Sequence, residues 1–168
     1  MMLYSEKYPV RWHDTDAGRE MRPSEVLAYM QECANHQFRT HAKTLDAMRD
    51  EDGVGFILSR VAIDFLSPIH AYEEIEVRTW CKEAKSYIFN RYFEIIRDGE
   101  KIAEAATTWV LIDLNSKAMV RASNIDFFDG KFYYDEPVDP AALPPKAKIS
   151  KDASSWGHRW LIKRTLKT

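Results

Sequence analysis

The chain has 168 residues, 45% of them hydrophobic and 30% charged, which fits a single globular domain with its own core and needs no disulfide staples. The formal net charge of −2 hides a split: residues 141–168 carry seven Lys/Arg and one Asp, leaving an acidic body of about −8 and a basic tail of about +6. An acidic body argues against nucleic acid as the main ligand, and no stretch approaches the ~20 apolar residues that a bilayer span requires.

Residues 1–7 contain no apolar run of the signal-peptide kind, and Cys33 and Cys81 are too few for a disulfide framework and lack metal-ligand spacing. A reduced, cytoplasmic setting without a metal or organic cofactor is therefore expected.

Tyr4 to Trp12 reads as a first strand, followed by the turn formers Asp14-Thr15-Asp16-Ala17-Gly18. Pro23-Ser24 marks a helix start, with Ser24 as a cap. Val26, Leu27, Met30, Ala34, Phe38, Ala42 and Leu45 then recur at helical spacing, and no Pro or Gly intervenes before Gly53. One helix from Ser24 to about Met48, roughly 37 Å long, is expected.

Strands follow. In Phe56 to Leu66, Ile57, Val61, Ile63 and Phe65 share one side, and Arg60 and Asp64 the other. Ile75, Val77, Thr79 and Cys81 alternate with charged residues, and Tyr87 to Arg97 carries Phe89, Phe93 and Ile95 on one face. Asp98-Gly99 signals a hairpin into a long strand, Lys101 to Asp113, and Asn115-Ser116 turns the chain into a short strand, Ala118 to Arg121. A long helix followed by an antiparallel meander is an α+β pattern. Beyond Ala122, Pro137, Pro140, Pro144 and Pro145 mark a linker-like stretch.

Three segments in order resemble the N-terminal hotdog half of the acyl-ACP thioesterase family. They are Ser24 to Ala34 (SEVLAYMQECA), Phe56 to Arg60 with Val77 to Trp80, and Arg91 to Ile95 with Thr107 to Asp113. A shorter segment, Val10 to Gly18 (VRWHDTDAG), is similar to the active-site opening of 4-hydroxybenzoyl-CoA thioesterase-like single hotdogs. In that pattern the second Asp, here Asp16, is the catalytic carboxylate. A His frequent a few residues later in that group is absent, and Pro23 lies near its place.

The resemblance implies a hotdog fold, a long helix wrapped by an antiparallel sheet, over residues 1–122. Residues 123–168 are expected to be an extension or the stump of a second hotdog. Acyl-ACP thioesterases usually carry two hotdogs, the second supplying an Asn/His-rich motif. A single hotdog implies two chains pairing in trans as a homodimer.

The implied activity is hydrolysis of a fatty acyl thioester, carried by acyl carrier protein or coenzyme A, within fatty acid biosynthesis. The chemistry needs a group that activates water or attacks the carbonyl, and donors for the oxyanion. Asp16, ahead of the helix N-terminus and its free amides, fits as base or nucleophile; Asp14 reads as the more structural of the two. Met30, Gln31, Asn35, Arg60 and Trp80 form the expected substrate-binding set, with Val26, Leu27, Phe38, Phe89, Phe93 and Trp109 as further candidates to line an acyl slot and Arg78, Lys82 and Arg91 to meet a carrier phosphate. His36 and His41, five apart, do not form a helical metal pair. The alternatives are a non-catalytic acyl-binding or dimerisation module and a hydratase or dehydratase, between which fold does not decide.

Overall fold

A computed structural model describes residues 3–126 and 132–134, together with the backbone of Leu161–Arg164. The elements in chain order are β1 (Tyr4–Pro9), α1 (Pro23–His41), α2 (Leu45–Asp52), β2 (Val54–Phe65), β3 (Glu74–Cys81), β4 (Ile88–Arg97), β5 (Glu100–Asp113) and β6 (Leu161–Arg164). They form one sheet in the order β1-β3-β4-β5-β2-β6, antiparallel throughout except that β6 runs parallel to β2. The architecture is α+β, as the sequence pattern predicts. The linker-like prolines lie outside the described residues.

The apolar stripe of α1 is buried on the sheet. Val26, Leu27, Met30 and Cys33 pack against Ile63, Ile75, Val77, Phe93 and Ile95, with Ala103 and Ala105 keeping the β5 surface low beneath the helix. A second cluster, Phe38, Met48, Val54, Phe89, Leu111 and Phe132, fills the other end. Trp80, Tyr92 and Ala106 occupy the sheet face turned away from α1.

The single long helix expected here is two. α1 ends at His41, where Ala42 leaves helical geometry (φ −149°, ψ −169°), and α2 restarts beyond Thr44. The Thr44 hydroxyl accepts from the Ala47 amide at 3.1 Å, capping the new helix, and Gly53 closes it in a left-handed conformation (φ 66°). At the start of α1 the cap is Arg22, and Pro23 takes the first turn; Ser24 is already helical.

The expected alternation in β2 is also broken. Leu58 pairs with Trp109 and Arg60 with Thr108, so Ser59 is an extra residue in a bulge. Val54, Phe56 and Leu58 face inward before it, and Val61, Ile63 and Phe65 after it. Ile57 consequently stands on the opposite face from Val61, 48% exposed.

The first strand is shorter than expected, because Trp12–Asp14 turns as one 3-10 helix. After β5 the chain returns through Asp113 N–H to Ala118 O and Val120 N–H to Leu111 O, but Ile112–Met119 is an isolated bridge where a strand was expected. Asp98 (φ 51°) and Gly99 (φ 81°) form the predicted two-residue hairpin turn.

Candidate active site

The Asp14–Asp16 loop enters α1. Asp14 is buried and its carboxylate accepts from Arg11 Nε and Nη2 (both 3.0 Å), Arg11 N (3.2 Å) and Tyr29 Oη (2.5 Å). Burial alone would raise the Asp14 pKa, but the hydrogen bonds from Arg11 and Tyr29 outweigh it and hold the group below the usual carboxylate range. The same contact, with burial, pushes the Tyr29 hydroxyl up.

Asp16 is exposed. Its Oδ1 accepts from the amides of Gly18 (2.8 Å) and Glu20 (3.2 Å), while its own amide donates to Glu20 O (2.8 Å). The carboxylate is thus held by the turn it makes. A Cβ on Gly18 would lie 3.2 Å from that oxygen, so the small residue suits the turn.

A cavity of about 390 Å³ opens between α1 and the inner face of the sheet. Its apolar wall is Phe38, Phe56, Phe89, Trp109 and Phe132; Arg91 is a buried polar residue in that wall, and Gln31, Glu32, Asn35, Lys82 and Asn90 are the accessible polar residues around it. Gln31 and Glu32 are exposed, which puts the mouth beside the middle of α1. An apolar slot with a few polar groups at its entrance suits one end of an amphipathic ligand.

A carboxylate–imidazole–carboxylate chain runs to that mouth. Glu32 Oε1 lies 2.9 Å from His36 Nε2, and His36 Nδ1 lies 2.6 Å from Glu6 Oε2. Glu6 also accepts from the hydroxyls of Tyr8 and Tyr4. Burial would raise the Glu6 pKa, but the Tyr8 and His36 hydrogen bonds bring it down, while burial and Glu6 push Tyr8 up. Sequence spacing considered His36 only as a metal ligand; the partner that orients it, Glu6, is 30 residues away on β1. Among the described residues no group of three or more His, Cys, Asp or Glu could hold a metal.

Of the expected substrate-binding set, Gln31 and Asn35 line the cavity. Met30 is fully buried in the core beneath α1. Trp80 sits on the far face of the sheet, stacked on Tyr92 with ring centroids 5.9 Å apart. Arg60 follows the β2 bulge, opposite Thr108, and lies outside the wall, as does Asp16. Of the acyl-slot candidates Phe38, Phe89 and Trp109 line it, while Val26, Leu27 and Phe93 are packed in the core between α1 and the sheet; of the cations Lys82 and Arg91 line it, whereas Arg78 pairs with Glu76 at 2.8 Å.

The fold is shared with solved thioesterase structures. An acyl-ACP thioesterase from Bacteroides thetaiotaomicron VPI-5482 superposes with a TM-score of 0.76 at 21% identity, over 88% of this chain and 59% of that one. A 1,4-dihydroxy-2-naphthoyl-CoA thioesterase from Synechocystis gives 0.67 at 20% identity, over 72% and 90% of the two chains. A DHNA-CoA thioesterase from Staphylococcus aureus gives 0.68 at 14%, over 74% and 83%. The helix-wrapped sheet is therefore a hotdog, and the chain spans a little over half the length of the Bacteroides protein. No curated protein matches it in sequence. The family model of the acyl-ACP thioesterase N-terminal domain matches residues 1–126, and by that match the chain belongs to the acyl-ACP thioesterase family.

Proposed function

We propose that this chain is the acyl-holding hotdog of a thioester hydrolase, acting on fatty acyl chains carried by acyl carrier protein or coenzyme A. The observation that carries the proposal is the aromatic cavity with Gln31, Glu32 and Asn35 at its mouth. The acyl chain lies in the cavity, its thioester carbonyl at the mouth, and the carrier's phosphopantetheine arm leaves past Lys82.

Hydrolysis then needs a carboxylate at the mouth. Asp16 is the proposed base or nucleophile, brought there from a second hotdog, because within one chain it lies outside the cavity wall. Its fixation by two amides suits a preorganised catalytic group. A symmetric homodimer places two such sites at the interface, with residues 123–168 as an extension of the hotdog. We assign the enzyme to fatty acid metabolism and, from its free Cys33 and Cys81, to a reducing, cytoplasmic setting.

Turnover of a panel of acyl-CoA and acyl-ACP thioesters by the wild type and by Asp16→Asn and Glu32→Gln tests the assignment. Asp16→Asn is expected to lose at least tenfold in kcat with folding intact, about 1.4 kcal/mol of transition-state stabilisation. Unchanged turnover in that variant removes Asp16, and a loss confined to Glu32→Gln moves the base to the Glu32–His36–Glu6 chain. A second reading, a non-catalytic acyl-binding module, draws on the distance of Asp16 from the cavity wall; binding without turnover by the wild type would establish it.

A further inference from the structure

Arg91 enters the cavity wall from β4, where its register partners are Thr107 on β5 and Cys81 on β3. It is only 4% exposed. Its guanidinium lies over the rings of Phe38 (5.2 Å) and Phe132 (5.9 Å), and Nη1 donates to Gln37 Oε1 (2.6 Å) and Thr79 Oγ1 (3.0 Å). Gln37 and Thr79 are themselves fully buried.

Arg91 Nη2 and Gln37 Nε2 have no oxygen acceptor; the Cys81 thiol, a weak acceptor, is the remaining group against the guanidinium. No carboxylate among the described residues pairs with the guanidinium. The two thiols in its surroundings bring no charge, since burial pushes Cys33 up to about 12 and raises Cys81 as well. A buried cation normally carries a counter-charge, and buried donors normally find acceptors. Here a cation without a counter-charge lines the aromatic part of the cavity, with Gln37 bonded to it from behind the wall.

A plain alkyl chain gives the guanidinium nothing: its end would leave Arg91 Nη2 bare. A chain with an oxygen at its far end offers it an acceptor, and a carboxylate also neutralises the charge. Sites with built-in hydrogen-bond groups reject the ligand that lacks the matching oxygen more strongly than apolar pockets sort by size. Phe38 and Phe132 both flank the guanidinium; the segment bearing Phe132 touches the sheet through the Tyr134 N–H to Cys81 O bond and the Cys81–Tyr133 bridge.

We propose, on the acyl-cavity reading above, that the preferred chains carry an oxygen function at the end remote from the thioester, seated on Arg91 Nη2. The substrate class is thus oxygenated acyl thioesters, terminal carboxylates ahead of terminal alcohols and both ahead of unsubstituted chains.

The test uses the full chain and non-hydrolysable amide analogues of acyl-N-acetylcysteamine, from octanoyl to hexadecanoyl, each with a terminal methyl, hydroxyl or carboxylate. Calorimetric titration of the wild type is expected to show at least tenfold tighter binding of the carboxylate-ended analogue than of the methyl-ended one at the best length, with the hydroxyl between. In Arg91→Met the order is expected to reverse, while Phe132→Ala, which keeps the guanidinium, retains it. Equal binding of all three ends by the wild type overturns the oxygenated-chain proposal and leaves the acyl cavity standing, a result that needs no variant to fold. Binding of none overturns the cavity reading and this proposal with it. Loss of methyl-ended binding in Arg91→Met, with no end preference in the wild type, overturns the proposal by assigning Arg91 to the thioester end.

Discussion

The carboxylate of Asp14 accepts four hydrogen bonds and that of Asp16 two, and the difference follows from where each side chain points. Asp14 ties Arg11 to Tyr29, joining the end of β1 to the first half of α1. Asp14→Asn keeps the shape but weakens that tie, and a loss of about 1–3 kcal/mol at neutral pH is expected from urea unfolding. The folded Asp14 pKa lies below its unfolded value, so its contribution is fully present above the unfolded carboxylate pKa near 4. It is lost as pH falls through the lower, folded value. The stability of Asp14→Asn should therefore fall less steeply in acid than that of the wild type. Glu6 and Glu73 are held low in the same sense, so the acid limb is reduced rather than abolished. Sequence picked out this loop and ranked Asp14 as the structural member, since a turn before a helix is a local signal. It named Arg91 only as a candidate for a carrier phosphate and offered no view of its meeting with Gln37, which depends on a strand and a helix 54 residues apart.

The elements were legible where a clear period and a turn signal bound them: β3, β4, β5 and the Asp98-Gly99 hairpin. Two of the departures are places where one residue changes the count. At Thr44, apolar spacing continues from α1 into α2, so periodicity reads one helix, while the hydroxyl cap makes two. Thr44→Ala should cost about 1 kcal/mol, seen as a lower urea midpoint with an unchanged slope. At Ser59 the bulge shifts the phase of β2, and a strict alternation cannot follow an inserted residue. The shift matters to the cavity, since it turns Phe56 inward to meet Phe38 and Phe89 at ring-centroid distances of 5.9 and 5.1 Å. Without it, Ile57 would face inward with Val61.

At the scale of the molecule, β6 covers only Ala62–Phe65 of β2. On that side the stretch from Val54 to Val61 meets no strand among the described residues, and an exposed strand edge is a template for pairing with another chain. Two copies joined there would extend the sheet and supply the second hotdog that the proposed chemistry requires. Sedimentation is expected to give twice the chain mass of 19.6 kDa, and a strict monomer at micromolar concentration would exclude that assembly. Family, fold class and the helix-on-sheet core were readable because they rest on patterns spread over many residues; the cavity was readable in part, through Phe38, Phe89 and Trp109, while Leu45, Phe56 and Phe132 reach it from separate elements that no local pattern joins.

The register of β1 against β3, Tyr4 opposite Thr79, has a consequence for synthesis. The first strand emerges from the ribosome with no neighbour, and its partner follows roughly 70 residues later. At about 5–20 residues per second, that is a wait of several seconds or more. Throughout it the apolar stripe of α1 has no sheet to cover it, for β2 pairs only with later strands. The newborn chain is then a helix in search of a surface, a natural client for a chaperone at the tunnel exit until β3 to β5 arrive.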